Sequence, residues 1–304
     1  MSLNLAGLTA YTDENKMPLI RRALLGGKTL SLISVQPDIK SSAAINILST
    51  TPLWQAGACG WNAQGSTVLT QRNITVNKIK KNESICVDDL EAYYTQSMMK
   101  AGSYDEALPF EQMYSEELAA QTAKYIETLS WQGDTAGAGT MVLSDGLIKI
   151  IDAEGAVVTG TAKLLDAANI IDAVNEMVAA IPVDAIESDD LTLFIGFDKY
   201  RVYTQALRDA NLYHYSAEDG ANFEIFVPGT NVKVVAVGGL NNTGVAGAGR
   251  IFLCEASNLF AGTDLLNDAE DFRIFFSEDN DEVRIKQKMK IGFQVAFPER
   301  IVSN

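Results

Sequence analysis

Apolar residues recur at helical spacing over Phe110, Met113, Tyr114, Leu118, Tyr125, Ile126 and Leu129. The stripe predicts a core-facing helix of about five or six turns, starting after Pro109 and ending at Gly133. A shorter helix is predicted through Leu90, Tyr93, Tyr94, Ser97 and Met98, with Asp88 or Asp89 as its N-cap and Gly102 near its stop. Another is expected from about Thr161 to Ile181, with Leu164, Leu165, Ala168, Ile171, Val174 and Val178 on one face and Pro182 closing it. Asp198 is placed to cap a helix carrying Tyr203, Ala206, Leu207 and Ala210.

Period-two patterning marks the strands. Ile45–Thr50 and Ser66–Thr70 favour β structure, and 73–87 alternates through Ile74, Val76, Lys78 and Lys80. Between the first two runs lies Leu53–Gly65, which holds Trp54, Trp61 and three glycines, without a single charge. Together these predict a long two-stranded excursion with an uncharged aromatic tip, a surface that would be poorly soluble unless something covers it. Leu191–Ile195 reads as a buried strand, and further strands are expected at 223–227, 232–237, 250–255, 272–276 and 283–297, the last broken into two. The first forty residues show no sustained period and read as an extended arm. The pattern as a whole is α+β.

Composition narrows the function. The 304 residues carry 24 Lys+Arg against 39 Asp+Glu, a formal charge of −15, which argues against nucleic-acid binding over the whole surface. The charge is uneven: residues 1–87 hold nine basic and four acidic side chains, a net of +5, and the remainder carries −20. Dense Lys/Arg runs are missing from this basic head apart from Lys78, Lys80 and Lys81, so it reads as a segment that lies on another copy's acidic body rather than as a nucleic-acid arm.

One histidine, His214, rules out a multi-histidine metal centre, and Cys59, Cys86 and Cys254 stand singly, without zinc spacing. The odd cysteine count fits a reducing compartment. No secretory leader is read at Met1–Lys16, and no apolar run approaches the roughly 20 residues of a membrane helix. Gly244–Gly249 and Gly133–Gly139 match neither a dinucleotide nor a phosphate-loop fingerprint and read as turns. Ser277–Glu282 lacks the glycine and distal glutamate of a calcium loop. No nucleophile motif accompanies His214. The expectation is a non-enzyme without cofactor or metal.

Several stretches resemble the major capsid proteins of tailed bacteriophages, the Hong Kong 97-like family. Phe110–Asp134 looks like that family's spine helix ending in Gly-Asp. Asp145-Gly146-Leu147-Ile148-Lys149-Ile150-Ile151 resembles its Asp-Gly-Leu segment, and 193–200 is similar to its strand-to-helix step. Phe272–Ser277 and Lys290–Val302 look like its closing strands. The resemblance implies an α+β Hong Kong 97-like major capsid fold. Its parts would be an N-terminal arm (1–42), an extended loop (43–82), a peripheral domain (83–160 with 265–304) and an axial domain (161–264).

It further implies a structural protein of the virion capsid, assembled in the host cytoplasm. Copies would form hexamers and pentamers of an icosahedral shell around double-stranded DNA, with portal and scaffold or decoration proteins as further partners and no membrane. The contacts between subunits would come from Leu53, Trp54 and Trp61 at the tip, and from Arg21, Arg22, Arg72, Lys78, Lys80 and Lys81. Two departures stand out. No long helical scaffolding segment precedes the arm. No lysine lies between Ser41 and Asn77, so the lysine–asparagine cross-link some relatives form on this loop is not expected. The alternatives are an encapsulin-type compartment of the same architecture around an enzyme cargo, and an α/β enzyme with a one-histidine or carboxylate site.

Overall fold

The computed structural model describes residues 27–57, 59–61, 63–86, 110–160, 164–211, 223–243, 249–264, 272–280 and 282–304. The helix expected near 90–102, His214, and Arg21 and Arg22 lie outside the described residues, as do most of Gly244–Gly249.

Three sheets organise the described residues. In the first, β1 (Ser34–Gln36), β10 (Leu259–Thr263), β12 (Glu282–Val295) and β11 (Phe272–Ser277) lie in that order, and β4 (Asn77–Cys86) also pairs with β12. The second has six strands in the order β5 (Val158–Thr159), β13 (Val302–Ser303), β9 (Phe252–Glu255), β6 (Leu191–Gly196), β8 (Lys233–Val237) and β7 (Glu224–Phe226). The third is the hairpin of β2 (Ser42–Pro52) and β3 (Gly65–Thr75), paired antiparallel from Ser42↔Thr75 to Pro52↔Gly65. The helices are α1 (Lys28–Leu32), α2 (Phe110–Gln132), α3 (Leu147–Ala153), α4 (Ile170–Ala179), α5 (Val183–Ile186) and α6 (Phe197–Asp209).

The six-stranded sheet is buried on both sides, which explains why Leu191–Gly196 is an unbroken apolar run rather than an alternating one. Leu193 and Ile195 join a core with α4 and α6, through Val174, Met177, Tyr203 and Leu207. Phe194 and Phe252 turn the other way, into a core shared with α2, α3 and the five-stranded sheet. Trp131 of α2 is fully buried at its centre, with ring centroids 5.3 Å from Phe194 and 5.5 Å from Phe252. A third, smaller cluster of Ile39, Ile45, Ile47, Ile74, Val76 and Ala296 fastens the base of the hairpin.

Several expectations need correction. The helix expected from Thr161 begins only at Ile170, because Asp166 Oδ1 accepts the N–H groups of Ala168 and Asn169 and turns the chain first. Asp198 does not cap α6; the cap position is Gly196, and Asp198 sits in the first turn. The last long strand is not broken. β4 pairs with it from Glu282 to Ile291 and β10 from Ile291 to Val295, so a partner runs along its whole length. Part of the expected arm is structured: Lys28–Leu32 is helical and Ser34–Gln36 pairs parallel with β10. The alternating stretch after the hairpin, Asn77–Cys86, belongs to the five-stranded sheet.

Candidate inter-subunit surface

The hairpin combines an anchored base with a bare end. Eleven residues per strand at about 3.3 Å each make an arm of roughly 35 Å. Beyond Ile47 and before Arg72 both faces are exposed, including Leu48, Val68 and Leu69. At the end, Leu53 is 57% exposed, and Trp54 and Trp61 are 94% and 95% exposed. Gly60 and Gly65 take φ of +120° and +97°, the left-handed region, so the reversal depends on residues without a side chain. Two nearly naked indoles on an uncharged loop amount to apolar surface that this chain cannot bury by itself.

The basic residues expected at this surface divide. Arg72 is spent inside its own chain: its guanidinium makes two bonds to the Glu154 carboxylate, at 2.5 and 2.9 Å, tying the hairpin's root to the end of α3. That pairing holds the Glu154 carboxyl below the usual range and raises Arg72. Lys81 pairs with Glu83 at 2.9 Å. Lys78 and Lys80 stand on the opposite face of β4, exposed, in register with Lys290 and Lys288.

Two internal devices were not read from the sequence. Glu127 of α2 is buried, and both its oxygens receive bonds from Thr29, from Oγ1 at 2.6 Å and from the backbone N–H at 3.0 Å. Trp131 Nε1 donates to the same Thr29 hydroxyl at 2.7 Å. Burial pushes the Glu127 carboxyl up, and the Thr29 bonds oppose that only in part. This cluster pins the end of the arm onto the long helix. No local pattern marks it, since the partners lie 98 residues apart. The second device is the loop after α2. Asp134 and Asp145 each take Lys149 Nζ at 2.6 Å, and Thr135 donates its N–H to Asp145 at 2.8 Å. These bonds hold both carboxyls below their ordinary values and raise Lys149. The glycine-bearing loop is thus a closed clasp rather than a loose turn.

Candidate chemistry is sparse. An open cavity of about 430 Å³ is lined by Trp131, Asp134, Lys149, Asp152 and Arg250 among others. Its charges are largely matched: Lys149 holds the two aspartates, and Arg250 bonds Asp152 at 2.7 and 3.1 Å. Among the described residues no group of three or more His, Cys, Asp or Glu side chains is placed to hold a metal ion. No helix among the described residues is long and apolar enough to cross a membrane.

No family model matches the sequence, and no curated protein matches it. Solved structures do. The satellite phage P4 procapsid including size determination (Sid) protein aligns with a TM-score of 0.62 at 14% identity, over 95% of this chain and 89% of that one. The capsid of a native GTA particle gives 0.58 at 15% identity, covering 93% and 89% of the two chains. The capsid of Myoviridae phage XM1 gives 0.57 at 14%, covering 92% and 90%. With a spine-like helix against a five-stranded sheet, a second sheet beyond it and a projecting hairpin, the chain has the α+β Hong Kong 97-like fold of tailed-phage major capsid proteins.

Proposed function

We propose that this chain is a major capsid protein whose copies gather into hexamers and pentamers and close an icosahedral shell around packaged double-stranded DNA. Residues 1–42 act as the arm. The hairpin is the extended loop, α2 with the five-stranded sheet forms the peripheral domain, and the six-stranded sheet with its helices forms the axial domain. The observation that carries the reading is the hairpin tip: Leu53, Trp54 and Trp61 are exposed on an arm anchored only at its base. An adjacent copy is the surface that buries them. Lattice contacts repeat, so roughly 1.5–3 kcal/mol per buried large apolar side chain accumulates over a closed shell. Arg72 orients the hairpin through Glu154 instead of reaching across to a neighbour. Arg21 and Arg22 are assigned to acidic surface on neighbouring copies, where they steer docking more than they strengthen it.

The fold is also that of a virus-like particle from Pyrococcus furiosus, with a TM-score of 0.51 at 14% identity over 95% of this chain and 97% of that one. The same architecture closed around protein cargo is the second reading. Sedimentation of the purified protein, with absorbance read at the nucleic-acid and protein maxima, separates the two. Fast particles rich in DNA support the capsid. Fast particles with protein cargo support the compartment, and a small particle throughout refutes both.

A further inference from the structure

Strands β4, β11 and β12 bring together a charge pattern that no one of them shows alone. Antiparallel partners directly opposite one another point to the same side of a sheet. Val283, Ile285 and Met289 of β12 lie on the side that packs in the core with Leu118 and Ile126 of α2, and Gln287 on that side accepts from the Thr122 hydroxyl at 3.2 Å. The other side carries Arg284, Lys286 and Lys288. Its cross-strand neighbours are Lys80 opposite Lys288, Lys78 opposite Lys290, Arg273 opposite Lys286, and Phe275 opposite Arg284.

Six cations, Lys78, Lys80, Arg273, Arg284, Lys286 and Lys288, thus share one sheet face. Arg273, Lys78 and Lys80 are exposed, and the other three are half-buried. Among the described residues the acid on the same face is Glu282, 3.7 Å from Arg284, while Lys290 is held by buried Asp264 at 2.5 Å. Glu278 and Asp279 sit beyond it, at the turn joining β11 to β12. Arg273 and Lys286 also hold contacts within the chain.

We propose that this face binds the phosphate backbone of double-stranded DNA, and hence that it is the wall turned toward a packaged duplex. Alternate residues on a strand are spaced roughly 6.7 Å, and neighbouring strands lie about 4.8 Å apart, so the cations form a flat, regular grid. A duplex presents a uniform line of charge that such a grid meets in any register, without sequence readout. A protein partner is less well served, because tight protein interfaces centre on desolvated apolar anchors and Phe275 is the exposed apolar group here. Single strands are less well served too, since they need several stacking aromatics. The chain's net −15 does not prevent such contact, because charges farther off than about 8 Å are screened at physiological salt.

The role as inner wall rests on the shell reading; the binding itself does not. The test is fluorescence anisotropy of the full-length protein, kept below its assembly concentration, with a random duplex of about 30 base pairs, titrated from roughly 50 to 200 mM salt. Up to six phosphate contacts predict a slope of log K against log salt near −5, about a thousandfold loss over that range. The quadruple variant Lys78→Gln, Lys80→Gln, Lys286→Gln, Lys288→Gln should fall to a slope near −2, and Lys→Arg at the same four positions should restore it. A circular-dichroism melt checks that each variant folds. No duplex binding by the wild type at the low-salt end, or an equal slope in the Gln variant, overturns the proposal. If the Gln variant binds DNA as before but no longer forms shells, the face belongs to an acidic neighbour and the DNA assignment fails. If the wild type forms no shells, the capsid reading fails and the salt slopes still decide the binding.

Discussion

Replacing Trp54 and Trp61 with serine separates what the tip does for the subunit from what it does between subunits. Both indoles are more than nine-tenths exposed, so neither is buried in its own chain and the folded monomer loses nothing measurable. If each is buried by a neighbour, the double variant forfeits roughly 3–6 kcal/mol per docking contact. At 1.4 kcal/mol per tenfold change, that weakens each contact by about two to four powers of ten. The assay is the concentration at which light scattering first reports shell growth, alongside the melting temperature of dilute subunit. The expected outcome is an unchanged melt with assembly moved to far higher concentration, or abolished. Normal shells at the wild-type threshold refute the docking role, and a large drop in subunit stability shows that the tip is packed at home.

The internal scaffold yields three more expectations. Gly146→Ala should destabilise the subunit by about 1–3 kcal/mol, read by chemical denaturation, because the new Cβ would stand 2.6 Å from both Gly133 N and Trp131 O; wild-type stability would mean that the clasp yields freely. A double-mutant cycle on Arg72 and Glu154 should give a coupling of about 0.5–1 kcal/mol, modest because both side chains are a quarter exposed; zero coupling would show that the two-pronged pair does not persist in solution. Glu127 has a raised folded-state pKa, so its contribution is greatest when it is protonated and is lost as pH rises from the ordinary glutamate range through the folded value. Glu127→Gln should therefore gain on the wild type as pH rises through that window. A stability difference that is flat with pH would refute an ionising Glu127.

What the sequence disclosed follows from the range over which each signal acts. The long helix and the hairpin are local: a stripe at three- and four-residue spacing and two alternating runs around an uncharged loop lead directly to Phe110–Gln132 and to the Ser42–Thr75 ribbon. The exposed tryptophans were legible for the same reason. Partnerships between distant segments were not. Alternation in Asn77–Cys86 identifies a strand but not that it lies beside β12 rather than extending the hairpin, and with that pairing goes the basic face. Arg72 carries the charge a neighbour could use, but the fold sets Glu154, 82 residues away, against it. Short strands such as Val158–Thr159 and Val302–Ser303 carry too few residues for any period, and exist because they extend one side of a buried sheet, the second lying between the first and Phe252–Glu255.

The central claim is self-assembly into a closed shell, and the most direct measurement is an electron micrograph of the purified protein in negative stain. Uniform icosahedral particles, or the hexameric and pentameric rings that build them, are the predicted result. A field of monomers or dimers at every concentration and salt would contradict it.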